Sequence, residues 1–285
     1  MFKIVSREVV GPNLISLRIY APQIAESARA GQFVIFRIDE FGERVPLTIA
    51  GADAQTGLVR IIFQTIGKTT FKLALLNAGD CIRDFAGPFG TPTEIKKYGV
   101  VAAVAGGVGA AEVLPVINAL KQSENKVIAI TGARCKDLLI LEEEIKAASD
   151  EFLVSTNDGS CGVRGIVTDV LKNVFNSQKI DMVYAIGPVP MMQAVADITK
   201  EKNIKTLVSL NPIMVDGTGM CGSCRVTVGG KTKFVCVDGP EFDGHLINWN
   251  ELISRLALFK DAEKTALEEF KKSGQHHPEC KCRQE

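Results

Sequence analysis

The sequence lacks an excess of charge of either sign. Lys and Arg together number 33, Asp and Glu also number 33, and the formal net charge at pH 7 is zero. Proteins that hold nucleic acid or an anionic membrane by electrostatics carry a basic surface, and this balance gives no sign of one. The composition therefore favours a small molecule or another protein as the partner.

The sequence also lacks long uncharged apolar runs, internal repeats and low-complexity linkers. No stretch has the length needed to span a bilayer, and Met1–Glu8 contains no signal core or cleavage site. We therefore expect a cytoplasmic protein without a membrane span. In that reducing compartment, the eight cysteines favour metal ligation over disulfide bonds.

The hydrophobic pattern changes near residue 98. Short β-like runs separated by turn residues predict an antiparallel β-barrel over residues 1–97, with one helix at Thr69–Leu76. Apolar strands that alternate with helices predict an α/β nucleotide-binding domain with a parallel sheet over residues 98–205. The predicted strands are Phe2–Val10, Leu14–Tyr20, Gly31–Ile38, Gly57–Gln64 and Asp80–Ala86 in the barrel, then Gly99–Ala105, Lys126–Thr131, Glu151–Thr156 and Met182–Ile186. The predicted α/β helices are Ala110–Lys121, Leu138–Ala148, Val167–Asn173 and Pro190–Lys200.

Two further segments complete the chain. Residues 206–245 contain a cysteine loop and a predicted hairpin that turns at Gly229-Gly230. Residues 246–285 contain a predicted amphipathic helix, Asn250–Lys272, and a tail. The apolar stripe of the helix predicts packing on its own chain, with docking of a partner subunit as the alternative. The tail is able to bind metal by composition, although an exposed tail is the favoured interpretation; its candidate ligands are His276, His277, Cys280 and Cys282.

The cysteine loop has the spacing of a plant-type [2Fe–2S] site. Such a site reads C-x₄-C-x₂-C with a later cysteine, and here Asp216 stands in the first position, followed by Cys221, Cys224 and Cys236. Three thiolates and one carboxylate have the same charge as four thiolates. Because a carboxylate is a harder ligand, we expect a shifted reduction potential.

Two other interpretations of this loop stay open. Asp216-Gly217 is a common turn dipeptide, and the three cysteines are also able to bind structural zinc. Zinc requires a fourth Cys or His, and the nearest, His245, lies nine residues beyond Cys236. The iron–sulfur interpretation is favoured because the spacing supplies all four ligands. Cys81, Cys135 and Cys161 are scattered and predicted to be thiols without a ligand role.

Two barrel segments have features of a pyrophosphate site. Arg44-Val45-Pro46-Leu47-Thr48 is predicted to close a strand and to present a cation beside a rigid turn and a hydroxyl. Gly67-Lys68-Thr69-Thr70 opens the predicted barrel helix, where free N–H groups favour a phosphate. Each segment alone is weak, because an exposed Arg is usually a solvated charge and a Gly before a helix is usually a cap.

Three turns of the α/β half are predicted to share one crevice. Gly106-Gly107-Val108-Gly109, Asn157-Asp158-Gly159-Ser160 and Gly187-Pro188 each follow an apolar strand, and ligands of open α/β sheets bind beyond the carboxyl ends of strands. Arg134, just after the second α/β strand, is placed to meet a 2′-phosphate, an adenine ring or solvent. Glu112 needs no functional explanation, because a carboxylate is favoured in a first helical turn.

Together, R-x-P-L-T, G-x-T-T, G-G-V-G, G-P-x-P-M-M and the cysteine loop resemble the ferredoxin–NADP reductase superfamily. Within it, the chain is similar to dihydroorotate dehydrogenase electron-transfer subunits and, more closely, to small subunits of NADH-dependent ferredoxin:NADP oxidoreductases. The dihydroorotate type has cysteine at the position of Asp216, whereas the latter subunits have Asp. Many superfamily members have Cys where this chain has Ile186, so the resemblance implies no thiol at the nicotinamide.

The resemblance implies cofactor sites and no catalytic side chain, because flavin and cluster carry the electron chemistry themselves. For FAD it implies Arg44, Pro46, Leu47, Thr48, Ile62, Phe63, Gln64, Gly67, Thr69 and Thr70. For NAD(H), with NADP(H) as the alternative, it implies Gly106, Gly107, Gly109, Asp158, Gly187 and Pro188, and Arg134 is added by its position. For the [2Fe–2S] cluster it implies Asp216, Cys221, Cys224 and Cys236.

The implied function is that of an oxidoreductase subunit. It exchanges a hydride with NAD(H) through FAD and relays single electrons to a larger flavoprotein partner, in a complex that couples NADH and reduced ferredoxin to NADP by electron bifurcation. The alternative in the same class is an electron-transfer subunit of a dihydroorotate dehydrogenase or of a sulfide or polysulfide reductase. The alternative in another class is a zinc-stabilised nucleotide-binding regulatory module.

Overall fold

An antiparallel sheet of seven strands occupies the first third of the chain in the computed structural model, which describes residues 1–273. The strand order is β6-β1-β2-β5-β4-β3-β7. The two edge strands are joined in the chain by one residue, Arg83, so the sheet curls into a nearly closed barrel. The elements are β1 Phe2–Gly11, β2 Leu14–Tyr20, α1 Pro22–Ser27, β3 Phe33–Arg37, β4 Val45–Asp53, β5 Leu58–Gln64, α2 Lys68–Ala74, β6 Cys81–Ile82 and β7 Asp84–Phe89.

The predicted barrel is confirmed, with two corrections. Strand β4 was not predicted, because Pro46 and Gly51 make its sequence resemble a turn; Arg44–Thr48 therefore opens a strand instead of closing one. The short helix α1 was also not predicted, so the barrel carries two helices among the described residues. Alternate strand residues such as Leu17, Ile19 and Phe36 fill the barrel interior.

A second seven-stranded sheet follows, in the order β11-β10-β9-β8-β12-β13-β16. Its strands run parallel except β16, which pairs antiparallel with β13. The order reverses at β8, which is where doubly wound folds form their ligand crevice. The elements are β8 Val100–Gly106, α3 Gly109–Gln122, β9 Lys126–Ala133, α4 Glu142–Ala148, β10 Glu151–Thr156, β11 Val163–Arg164, α5 Val167–Ser177, β12 Met182–Ile186, α6 Val189–Lys200, β13 Lys205–Ser209, β14 Arg225–Val228, β15 Lys231–Phe234, α7 Val235–Asp238, β16 Glu241–Asp243, α8 Trp249–Leu256 and α9 Lys260–Lys272.

Strand β8 explains the layers on the two faces of this sheet. Successive side chains of a strand point to opposite faces. Val101 and Ala103 accordingly pack in the core that contains α3 and α4, whereas Ala102 and Val104 pack in the core that contains α5 and α6. Both faces are apolar because both are covered, as expected for a parallel sheet. The predicted open α/β sheet is therefore confirmed.

The C-terminal segment follows the prediction in part. The hairpin β14–β15 turns at Gly229 and Gly230, both with positive φ. The helix predicted over 250–272 is instead two helices, α8 and α9. Helix α8 buries Leu252 in the α/β core, whereas α9 packs Phe270 edge-on against Phe71 of α2, with ring centroids 6.2 Å apart. The break between α8 and α9 allows each helix to make its own contact. The predicted packing of this segment on its own chain is confirmed.

The described residues end at 273, so the predicted metal-binding tail, with His276, His277, Cys280 and Cys282, lies outside them. Between residues 1 and 273, no helix combines the length and the apolar character required to cross a membrane.

The glycine-rich turn after β8 depends on close packing against the turn after β12. A Cβ on Gly109 would lie 2.5 Å from the Ile186 carbonyl oxygen, so Gly109→Ala forces backbone displacement. We expect the free energy of unfolding to fall by about 1–3 kcal/mol, measured by chemical denaturation. Gly51→Ala is the control, because its Cβ would meet only Arg60 Cβ, at 3.7 Å. Equal stability of the two variants would contradict this account.

Candidate functional site

Three adjoining cavities run from the α/β sheet to the cysteine loop. Cavity 1, of about 570 Å³, lies at the carboxyl ends of β8, β9, β10 and β12. Cavity 2, of about 580 Å³, lies between β5, α2, α3 and α9. Cavity 3, of about 270 Å³, lies between β3, β4 and residues 209–214. Gln64 and Val108 line both of the first two cavities, and Glu112 lines both of the last two.

Cavity 1 brings together much of the predicted nucleotide site. Gly106, Gly107, Arg134 and Pro188 line it, and so does Asn157 of the turn after β10. Gly107 has φ +58° and open space where its Cβ would be, so the chain backbone is exposed to a ligand there. The expected sharing of one crevice by these turns agrees with this geometry.

Other predicted nucleotide residues have different positions. Gly109 and Gly187 are packing residues: a Cβ on Gly187 would lie 3.0 Å from the Gly106 backbone nitrogen, so these glycines let two turns touch. Asp158 is exposed and lines none of the cavities described here; its carboxylate accepts from the Ser160 backbone N–H and hydroxyl. Asn157, its neighbour, takes the place in the cavity wall that was expected of Asp158.

The polar chemistry of cavity 1 fits a nucleotide. Ser155 lines the cavity, is 1% exposed, and has a hydroxyl without a hydrogen-bond partner among residues 1–273. A buried hydroxyl of this kind costs free energy unless a ligand or water pairs with it. Arg134 is the one charged side chain among the described residues that line the cavity. The wall therefore offers a cation and an unsatisfied hydroxyl to a phosphorylated, hydroxyl-rich ligand.

Cavity 2 contains most of the residues predicted for the flavin. The predicted residues that line it are Leu47, Ile62, Phe63, Gln64, Gly67, Thr69 and Thr70. The two threonine hydroxyls are already engaged in the protein. Thr69 donates to the Glu43 carboxylate, and the Thr70 hydroxyl accepts from the Gly67 backbone N–H at 3.1 Å, which caps α2. Arg44 is exposed and does not line these cavities, so its predicted contact with the flavin stays a prediction.

Helix α9 forms a wall of cavity 2 that was not predicted. Lys260, Lys264 and Leu267 line the cavity. The amphipathic pattern indicates that this helix packs, but no local sequence signal says where. Contact between α9 and α2 closes the outer side of the cavity and brings two lysines to it.

Cavity 3 joins the barrel to the segment that leads into the cysteine loop. Pro46, Leu47 and Thr48 of β4 line one side, and Pro212 and Met214 line the other. Met214 stands two positions before Asp216 in the chain. A planar ligand in this cavity would thus contact both the barrel strand and the start of the loop.

Glu112 was not predicted as a site residue, although it lines cavities 2 and 3. Its carboxyl makes no hydrogen bond or ion pair within residues 1–273, and burial raises its pKa from 4.5 to about 7. Its place in a first helical turn gave an adequate structural reason for the residue. The signal for a functional role is the combination of burial with the absence of a partner, which only the fold shows.

The four candidate cluster ligands form two contacting pairs. In one pair, the Cys221 backbone N–H donates to Asp216 Oδ2 at 2.7 Å, and the hydrogen bond from the Cys221 thiol is the main cause that holds the Asp216 pKa well below its usual range. In the other, the Cys236 backbone N–H donates to Cys224 Sγ at 3.4 Å. Burial raises the pKa of the Cys236 thiol to about 12, and contact with Cys224 adds to this shift.

The paired arrangement fits a two-iron cluster. Each iron of a [2Fe–2S] cluster takes two protein ligands. In the part of the chain that the structure describes, no three His, Cys, Asp or Glu side chains are grouped to hold one ion. His245, the candidate fourth zinc ligand, has Nε2 2.9 Å from the Thr199 hydroxyl and Nδ1 3.7 Å from Asp243. Its ring therefore has partners away from the cysteines.

The sequence also matches two protein-family models. Residues 211–248 match the iron-sulfur cluster binding domain of dihydroorotate dehydrogenase B, and residues 103–197 match the oxidoreductase NAD-binding domain. The first range contains all four candidate ligands, and the second contains most of cavity 1.

Two relatives match almost the full length. One is an uncharacterized protein in the adh 3′ region of Clostridium beijerinckii, 49% identical over 294 residues, with 99% of each chain covered. The other is a dihydroorotate dehydrogenase B (NAD(+)) electron transfer subunit homolog of Thermotoga maritima. It is 46% identical over 271 residues, which cover 95% of this chain and 96% of the relative.

Solved structures agree with these matches. A chain from a structure of NADH-dependent reduced ferredoxin-NADP oxidoreductase, solved in connection with flavin-based electron bifurcation, is 45% identical. It superposes with a TM-score of 0.90 over 95% of this chain and 98% of its own length. Phthalate dioxygenase reductase, 17% identical, has a TM-score of 0.55 over 80% of this chain and 85% of its own, and shares the fold.

The half-buried, partly desolvated Glu112 carboxyl makes stability depend on pH. Between pH 4.5 and about 7 the folded chain holds a proton that the unfolded chain has released, so the free energy of unfolding falls as the pH rises. Glu112→Gln removes this loss. We expect its stability relative to the unaltered chain to rise by about 2 kcal/mol from pH 4.5 to pH 8, measured by chemical denaturation.

The exposed Glu143 on α4 provides the control. Glu143→Gln makes the same chemical change without burial and should leave the pH profile of stability unaltered. A Glu112→Gln profile that parallels that of the unaltered chain would contradict the prediction.

Proposed function

We infer the function from a family relationship: the chain belongs to the family of dihydroorotate dehydrogenase B electron-transfer subunits and their homologues, within the ferredoxin–NADP reductase superfamily. Its class is oxidoreductase. We propose that it exchanges a hydride with NAD(H) through FAD and passes single electrons through a [2Fe–2S] cluster to a larger flavoprotein partner.

The observation that carries the proposal is the adjacency of the sites. The proposed nucleotide cavity adjoins the proposed flavin cavities through Gln64 and Val108. The flavin cavities reach the proposed cluster loop through Pro212 and Met214. Electron transfer needs donor and acceptor close together, and this row of cavities supplies a short route from nucleotide to cluster.

Each cavity has a separate task in the proposal. In cavity 1, Gly107 lets the nucleotide approach the backbone, and Arg134 and the Ser155 hydroxyl hold its polar groups. In cavities 2 and 3, Leu47, Ile62 and Phe63 form an apolar wall that excludes water from a flavin ring. FAD supplies the conversion between two-electron and one-electron transfer there. Hydride transfer itself requires no acid or base from the protein.

The proposed cluster site lies at the surface next to an apolar patch. Cys224 and Cys236 are buried, whereas Cys221 is exposed. Around them the apolar side chains of Met220 and Val237 are exposed, Met220 by 89%. Exposed apolar side chains on both sides of an exposed ligand suit a contact with another protein. We propose that the larger partner docks here and receives the electrons.

In the complete complex, we propose coupling of NADH and reduced ferredoxin to NADP reduction by electron bifurcation, as the solved relative suggests. We assign the bifurcating step to the partner. A second candidate partner is a dihydroorotate dehydrogenase, which the name of the Thermotoga relative favours. Asp216 favours the first partner. Affinity purification of the native complex, with identification of the larger subunit and assay with dihydroorotate, separates the two.

Cys224→Ala tests the proposed cluster. The unaltered chain, purified without oxygen, should contain flavin with about two irons and two acid-labile sulfides and no zinc. Cys224→Ala should lose most of the iron while it retains flavin, because a buried ligand is removed and the flavin cavities are intact. Iron, sulfide, zinc and flavin are quantified on one sample. Cys161→Ala, which removes a thiol far along the chain from the loop, should retain the iron. Zinc without flavin in the unaltered chain would exclude the proposal.

Asp216→Cys tests the proposed carboxylate ligand. A thiolate donates more electron density to iron than a carboxylate does, so the variant should keep its cluster and have a lower reduction potential. The measurement is a redox titration followed by visible absorbance. Asp53→Cys, which adds a thiol at the end of β4, serves as the control and should leave the potential unchanged. An unchanged potential in Asp216→Cys would remove Asp216 from the ligand set.

A further inference from the structure

The proposed function brings hydrides into the flavin cavity and sends only electrons out of it, so it leaves one proton per hydride without an acceptor. A hydride brings two electrons and one proton. An iron–sulfur cluster accepts the electrons one at a time and takes no proton. For each hydride that enters, one proton therefore stays behind and has to leave the flavin cavity before the next cycle.

Glu112 is the one titratable side chain among the described residues that line cavity 3. The other polar side chains there, Thr48, Ser209 and Asn211, neither gain nor lose a proton near neutral pH. Glu112 also lines cavity 2, so its carboxyl stands between the two cavities. It has no hydrogen-bond or ion-pair partner within residues 1–273, so it is free to accept a proton.

We propose that Glu112 is the proton acceptor of the flavin cavity and that it carries the proton of each hydride from cavity 3 toward cavity 2. The proposal rests on the proposed function. The balance is one hydride in from NADH, two electrons out to the cluster and on to the partner as oxidant, and one proton out to the Glu112 carboxylate. The resulting carboxylic acid then releases the proton to water through cavity 2.

The groups around Glu112 are consistent with this exchange. Burial raises the pKa of Glu112 to about 7, so both protonation states are populated near neutrality. From the sheet, Tyr184 of β12 donates its hydroxyl to Glu241 at 2.7 Å, and burial, with a smaller effect of Glu241, raises the pKa of that hydroxyl. On α4, the helix packed against α3, Glu144 is paired with Arg60. The charged side chains that share cavity 2 with Glu112 are Glu43, Lys68, Lys260, Glu263 and Lys264.

The proposal makes the two half-reactions respond differently to Glu112→Gln. Reduction of the bound flavin by NADH moves a hydride and needs no protein base, so its rate should change less than about two-fold. Oxidation of the reduced flavin needs the base, so its rate should fall on the order of 100-fold. In the unaltered chain the oxidation rate should rise with pH around 7, and in the variant it should not. Stopped-flow absorbance under argon, with NADH and then ferricyanide as the one-electron acceptor, measures both.

A second readout does not depend on turnover. Reduced flavin also releases a proton of its own near neutral pH, so the variants are compared with the unaltered chain. Between pH 5.5 and pH 9, the midpoint potential of the bound flavin in the unaltered chain should show an added slope change that comes from Glu112. Glu112→Gln should lack this added change, Glu112→Asp should keep it at a shifted pH, and Glu143→Gln should leave it in place. The Asp variant keeps the test decisive if the Gln variant fails to bind flavin.

The outcomes separate this proposal from the proposed function. Suppose that the unaltered chain binds flavin and iron and is reduced by NADH. If it then behaves like Glu112→Gln in both measurements, the role of Glu112 is overturned and the relay is left intact. Unaltered chain without flavin would overturn both. Loss of the slope change and slow oxidation, with hydride transfer unchanged, are the results that we expect.

Discussion

The contact between the cysteine loop and the barrel is the constraint on which the rest of the site depends. A Cβ on Gly217 would lie 2.8 Å from Ile35 Cδ1 of β3 and 3.1 Å from Phe89 Cδ2, so the loop reaches the barrel only because this position has no side chain. Gly217 has φ +80°, which favours glycine for a second reason. This close approach places the start of the loop against the strand next to β4, and cavity 3 is the space that remains between them.

The side chains that line the three cavities and the cysteine loop differ in their exposure, and this difference decides which of them face a ligand and which face a partner. Ser155 in cavity 1 has a buried hydroxyl without a hydrogen-bond partner, and Glu112 between cavities 2 and 3 is a half-buried residue whose carboxyl has no partner among the described residues. Folding alone does not explain such groups, because each is less favourable buried than solvated. At the loop, Cys224 and Cys236 lie in the shared apolar core while Cys221 stays exposed. The chain thus offers unsatisfied polar groups to its ligands and one open side of the loop to a partner.

Local patterns were sufficient for the architecture and insufficient for contacts between distant segments. The strands β8, β9, β10 and β12 were predicted because both of their faces are apolar, and the hairpin because Gly229-Gly230 permits only a few turns. Strand β4 escaped prediction because neighbouring strands, and not its own residues, stabilise it. The α9 wall of cavity 2 and the position of Glu112 arise from contacts between segments far apart in the chain, for which local periodicity carries no signal.

Electron flow from nucleotide to cluster within one chain is the central claim, and reduction by NADH tests it directly. Oxygen-free protein, mixed with NADH and frozen, would be examined by electron paramagnetic resonance and by visible absorbance. We predict bleaching of the flavin together with the signal of a reduced [2Fe–2S] cluster, without any added mediator. Bleached flavin beside a cluster that stays oxidised, although dithionite reduces it, would contradict the relay between cavity 3 and the loop.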